Sequence, residues 1–189
     1  MRRFFNAVNV LLVLGMISFA FWAWPRLPDR IPTHFGVDGL PDSWSEKGIW
    51  SWFGATAVGI SIALSIGLFR AFIPRKPNWV NLPDRRKLSD LPEAARPPVI
   101  EMFSGFLAMV QTQLLIIFAL IQAGAWKSAM GGSSQGIMIV VLLLAILSSP
   151  FLLVVFFLRL QGALDRGAEL ARRAEAGYTG EEDYPPDRR

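Results

Sequence analysis

From Phe4 to Trp24 the chain reads FFNAVNVLLVLGMISFAFWAW, without one Asp, Glu, Lys or Arg. That length matches the roughly 20 apolar residues a helix needs to cross a bilayer core. The pattern decides the fold because it recurs. IWSWFGATAVGISIALSIGLF covers 49–69, MFSGFLAMVQTQLLIIFALIQAGAW covers 102–126, and IMIVVLLLAILSSPFLLVVFFL covers 137–158, each equally free of charge. A soluble core has no place for four such runs. The reading is an all-α integral membrane protein with four transmembrane helices, at about 5–24, 49–73, 101–126 and 137–158.

Composition agrees with this class. The 189 residues are 52% hydrophobic and 18% charged, against about 25% charged in soluble domains, and the mean hydropathy is +0.38. Arg2 and Arg3 precede the first run, as in a signal peptide. The run is long, however, and ends in Phe21, Trp22 and Trp24 rather than in the small residues of a cleavage site, so it reads as an uncleaved anchor.

Of the nineteen Lys and Arg, fifteen lie before the first run, after the fourth, or at the end of the second run and in the loop that follows it. Only Arg26, Arg30, Lys47 and Lys127 lie in the other two loops. The positive-inside rule then puts both termini and loop 74–98 in the cytoplasm, and loop 25–48 outside. The net charge of +4 is a topology signal on this reading. No basic cluster interleaves with aromatics as a nucleic-acid groove requires, so no nucleic-acid partner is expected. The seven Trp fall at or near run ends, where an interfacial belt accounts for them.

The absence of cysteine excludes disulfides, thiol chemistry and thiolate-ligated metals. No phosphate-cradling glycine loop, HExxH pattern or GxSxG elbow occurs, and one histidine allows no bis-histidine cofactor site. The expectation is a non-enzyme without cofactor or metal. No run has a charge at its middle, which argues against ion-coupled transport. The polar groups inside the runs are neutral, among them Asn6, Asn9, Thr56, Gln111, Thr112, Gln113, Gln122, Ser148 and Ser149. Hydrogen bonds between helices are their expected use. Ala55-x-x-x-Gly59 and Gly59-x-x-x-Ala63 have the spacing that lets helix backbones approach closely.

Residues 1–159 thus form the transmembrane domain, and 160–189 a cytoplasmic tail that is helical, then flexible. In the tail, Glu169 and Arg173 make a favourable i,i+4 pair and Gly177 ends the helix. Loop 74–98 carries six prolines and reads as mostly extended. One short helix in it is capped by Asp90, with Glu93 three residues on, and stopped by Pro97.

The polar stretch LPDRIPTHFGVDGLPDSWSEKG, residues 27–48, joins the first two runs. Pro28 and Pro32 hold its first half extended, and Asp38-Gly39 is a two-residue turn signal, so Ile31–Phe35 and Leu40–Trp44 form a small hairpin or fixed loop. Ser43-x-x-Glu46 fits a capping box that starts the second span early. His34, Asp38 and Asp42 recur four apart. Imidazole and carboxylates suit a divalent cation, but the simpler reading gives the acids to turns and caps, and His34 to a backbone hydrogen bond at the surface. The candidate binding residues are His34, Asp38, Asp42, Trp44 and Lys47.

The stretch resembles the signature of a bacterial membrane family of unknown function whose best-known members are immunity proteins against the sporulation-delay toxin. The resemblance rests on Leu27, Pro28, Asp29, Ile31, Pro32, His34, Phe35, Gly39, Pro41, Asp42, Trp44 and Lys47. It covers the first loop and, loosely, the two flanking spans. It implies a multi-pass helical protein of the bacterial inner membrane and supplies no catalytic residue. Two roles follow as expectations. One is an immunity- or receptor-like binder of an external peptide or toxin through the outer loop. The other is an accessory subunit packed against the subunits of a larger membrane complex. In both, the lipid bilayer is the constant partner.

Overall fold

A computed structural model describes residues 2–177. Four long helices and one hairpin account for most of them. Helix α1 runs Arg2–Ala23 and ends in a 3-10 turn, Trp24–Arg26. Strands β1, Arg30–Phe35, and β2, Pro41–Glu46, pair antiparallel. Helix α2 runs Ile49–Phe72, α3 Arg96–Ala129 and α4 Gln135–Glu175. Each of the four contains a stretch long and apolar enough to cross a membrane. At 1.5 Å per residue, α3 and α4 are about 50 and 60 Å long, well beyond a hydrocarbon core of about 30 Å. The expected tail helix is therefore not a separate element: α4 continues through it without a break, past Pro150. Glu169 accepts from Arg173 Nε at 2.8 Å, and the helix stops at Glu175, just before Gly177 at φ +69°. The flexible segment expected at 178–189 lies outside the described residues.

Helix α3 is the centre of the bundle, and α1, α2 and α4 each pack on it. Gly59 is why α2 can sit close: a Cβ there would stand 2.9 Å from the Phe118 ring on α3. Ala63, one turn on, is buried with Met16 and Leu115, as the small-residue spacing anticipates. Neutral polar groups stitch the helices. Asn9 Nδ2 donates to the Ala108 carbonyl at 3.2 Å, and Thr112 Oγ1 donates to Asn9 Oδ1 at 2.6 Å. Gln113 on α3 donates to Ser148 on α4. Gln122 and Thr56 do not follow this pattern: their side-chain polar atoms are buried without a protein partner among the described residues.

Three local expectations are corrected. Ser43 and Glu46 do not cap a helix; both lie in β2, and α2 starts at Ile49, with Ser51 Oγ accepting from the Gly48 N–H at 2.8 Å. Loop 74–95 is not mainly extended. It folds through 3-10 turns at Pro77–Trp79, Leu88–Asp90 and Glu93–Ala95, and buries Val80, Leu82, Leu88 and Leu91 against α3 and α4. Asp90 caps only a single turn, accepting from the Lys87 N–H at 2.7 Å. Pro97 does not stop a helix either. With Pro98 it sits in the first turn of α3, where a missing N–H costs nothing. In the same loop Arg86 donates to Asp84 at 2.7 Å and holds that carboxyl below its usual range.

Trp52 departs from the interfacial belt. It is buried, and its Nε1 donates to the Ala20 carbonyl at 2.9 Å, tying α2 to α1. Trp22, Trp44, Trp50 and Trp79 remain exposed.

Candidate functional site

The hairpin is fixed at three places, each traceable to a residue. Ile31 is fully buried among Ala23, Leu27 and Trp52. At the open end, the Lys47 N–H donates to the Asp29 carbonyl at 2.7 Å, and Lys47 Nζ to the Leu27 carbonyl at 3.0 Å. The same ammonium lies 5.0 Å from the centre of the Trp24 ring. At the tip, Ser134 Oγ donates to the Gly39 carbonyl at 3.1 Å, joining the hairpin to the start of α4. Gly39 has φ +76°, and a Cβ there would meet the Gln135 carbonyl oxygen and the Met138 Cβ at 3.0 Å. Both the backbone angle and the close approach demand glycine.

The five candidate residues divide on this frame. His34 and Asp42 come together, with Nδ1 donating to Asp42 Oδ1 at 2.6 Å. Their side chains remain 69% and 52% exposed. This replaces the expected bond from His34 to backbone. The contact to a carboxylate fixes Nδ1 as the protonated nitrogen and leaves Nε2 as the ring's other polar atom. Trp44 pairs across the strands with Pro32 and is 41% exposed. Asp38 serves the turn: its Oδ1 accepts from the Leu40 N–H at 3.0 Å. Lys47 holds the hairpin's base, as above, rather than its exposed face. Among the described residues, no group of three or more His, Cys, Asp or Glu side chains gathers for a metal ion.

Residues 11–60 match a family described as a domain of unknown function (DUF1648). The match takes in most of α1, the whole hairpin and the first half of α2. It therefore falls on the elements that build and anchor this site, and it names a domain without naming an activity. No curated protein and no solved structure matches the chain. Together with the four apolar helices, the match describes a membrane protein of unknown function.

Sequence reading missed two parts of the site. Val37, 96% exposed at the hairpin tip, adds an apolar point beside the polar pair. The Ser134 contact joins residues 95 apart in the chain, and no local pattern announces it.

A second constellation at the other end of the bundle was also missed. Arg70 counts in the sequence as one of the basic residues that set topology. In the structure it belongs to α2 and donates to Asn6 on α1 and to Ser104 and Gln111 on α3. The available signal was helical spacing: Ala63, Gly67 and Arg70 share one face of α2.

Proposed function

We propose that this is a non-enzymatic, multi-pass protein of the bacterial inner membrane that recognises an external peptide or protein through the outward face of its hairpin, in the manner of an immunity protein or receptor. One observation carries the reading. The hairpin is pinned at base, middle and tip, yet it keeps the His34–Asp42 pair, Trp44 and Val37 exposed. A turn needed only to reverse the chain has no use for that much anchoring. A rigid surface with an aromatic anchor and a fixed polar pair lowers the ordering cost of binding. The charge distribution supports an exterior position for this end.

The test is in-cell cross-linking followed by purification of the full chain in mild detergent. His34→Ala combined with Trp44→Ala is expected to reduce the cross-linked partner at least about tenfold, the factor that about 1.4 kcal/mol supplies, at unchanged protein level and melting temperature. Full retention of the partner by this variant sinks the proposal.

The accessory-subunit reading has its own support in α4, whose most apolar stretch has no buried residue. Leu147 and Phe151 project from it, each 63% exposed. Loss of a partner on Leu147→Ala with Phe151→Ala, and its retention in the hairpin variant, selects that reading.

A further inference from the structure

Between the hairpin, α2 and α3 lies a hollow of about 190 Å3. Phe35 of β1, Trp50, Trp52 and Ala55 of α2, and Ile121 and Gln122 of α3 line it. Helix α3 rises about 10 Å from Gln122 to its end at Ala129, so the hollow lies in the hairpin-side half of a membrane core about 30 Å thick. It is smaller than the roughly 300–1,000 Å3 of sites for drug-sized ligands, and has room for one small group.

The polar groups around it are already engaged, with one exception. Ser51 Oγ accepts from the Gly48 N–H and donates to the Glu46 carbonyl. Trp52 Nε1 donates to the Ala20 carbonyl, and Thr33 Oγ1 to the Ser43 carbonyl at 3.5 Å. Trp50 is exposed and open to water. Gln122 is the exception. It is 2% exposed, and neither Oε1 nor Nε2 has a hydrogen-bond partner among the described residues. A buried carboxamide with both bonds unmade is costly, and a ligand that makes them removes that cost. Gln122 also borders a second hollow, on the α1 side. That one is lined by Leu11, 68% exposed midway along α1, so lipid tails reach it before a polar ligand does.

The lining states the chemistry of the ligand. It includes no charged residue, so a charged group would lose its hydration without gaining a counter-charge. Gln122 has a donor and an acceptor to satisfy together, and a second carboxamide answers both with paired N–H···O bonds. The aromatic and aliphatic walls suit an apolar body.

We propose that this hollow binds one neutral carboxamide-bearing group, paired head to head with Gln122, with its apolar body against Phe35 and Ile121. A small free amide and an Asn or Gln side chain of a peptide share that chemistry.

The experiment titrates the full chain in mild detergent with benzamide, benzoate and toluene, read by ligand-observed NMR and melting temperature with empty micelles as the baseline. The wild type is expected to bind benzamide about tenfold tighter than either of the others, the factor that about 1.4 kcal/mol supplies. Gln122→Leu keeps the bulk and removes the unpaired amide. It should melt at or above the wild-type temperature and bind benzamide no better than toluene. Ala55→Phe fills the hollow and should weaken benzamide at least about tenfold. A tripeptide with a central glutamine, capped without a primary amide, separates the sources. Its binding, lost in Gln122→Leu, supports the proposal with a peptide side chain as the ligand, and binding of benzamide alone supports it with a free amide. Equal benzamide affinity in the wild type and Gln122→Leu overturns the proposal. So does benzamide binding that survives Ala55→Phe, because the ligand then sits outside this hollow. Uptake of none of the probes by the wild type also overturns it and leaves Gln122 to a buried water. If Ala55→Phe fails to fold, the comparison of wild type with Gln122→Leu decides alone.

Discussion

At the hairpin end of the bundle α1 and α2 are drawn together, whereas at the opposite end a groove lies between them. The closed end is tied by Trp52, which donates to the Ala20 carbonyl, and by the tilted or edge-on rings of Phe19 and Trp126 against it, with Trp22 packed on Trp126 in turn. The grooved end is bridged by one long cationic side chain reaching from α2 to α1 and α3. The contrast shows how one bundle serves two purposes. Large aromatics fill space and make a stiff platform, and the hairpin inherits that stiffness through Ile31. Small residues, Ala63 and Gly67, leave space that a flexible polar side chain borders without filling.

The contrast breaks first at Trp52. Trp52→Ala removes a buried indole and leaves the Ala20 carbonyl without that donor, so the expected loss is about 3–5 kcal/mol and the largest fall in melting temperature of any single truncation at this end. A melting temperature equal to wild type would show that the closed end does not depend on the ring cluster. A smaller effect belongs to Asn9. Asn9→Ala removes a buried clasp between α1 and α3, and interhelical bonds of this kind contribute about 1 kcal/mol. Its melting temperature should fall measurably but less than that of Trp52→Ala. The reverse order would place the bundle's stability in its polar stitches instead of its aromatic end.

The sequence makes legible whatever depends on long uniform patterns. Four charge-free runs give four helices, Gly59 gives a close helix approach, and the Asp38-Gly39 signal gives a hairpin, although its connection is the five residues 36–40, with the Gly39 N–H donating to the Gly36 carbonyl at 2.9 Å, in place of a two-residue turn. Short patterns mislead where a tertiary partner competes for them. Ser43 and Glu46 have capping-box spacing, but β1 claims both for a strand pair. Pro97 is a helix breaker in an interior and a helix starter in a first turn, and the residues before it decide which. In the candidate site, His34, Asp42 and Trp44 were legible as a polar, aromatic loop. The use of Lys47 as a staple and the tether from Ser134 were not, because both are set by the three-dimensional neighbourhood. Arg70 was read only as one of the cytoplasmic-side topology charges because its partners lie 34 to 64 residues away in the chain.

The central claim is that the hairpin is an exposed recognition surface on the outer side of the membrane, opposite the Arg70 end. The chain has no cysteine, so a single introduced thiol reports its own position. Val37→Cys and Asn78→Cys variants can be treated with a membrane-impermeant maleimide, in intact cells and again after the membrane is opened. The account predicts rapid labelling of the Val37→Cys variant in intact cells, and labelling of the Asn78→Cys variant only after opening. Labelling of Asn78→Cys in intact cells, with Val37→Cys protected until the membrane is opened, would contradict it.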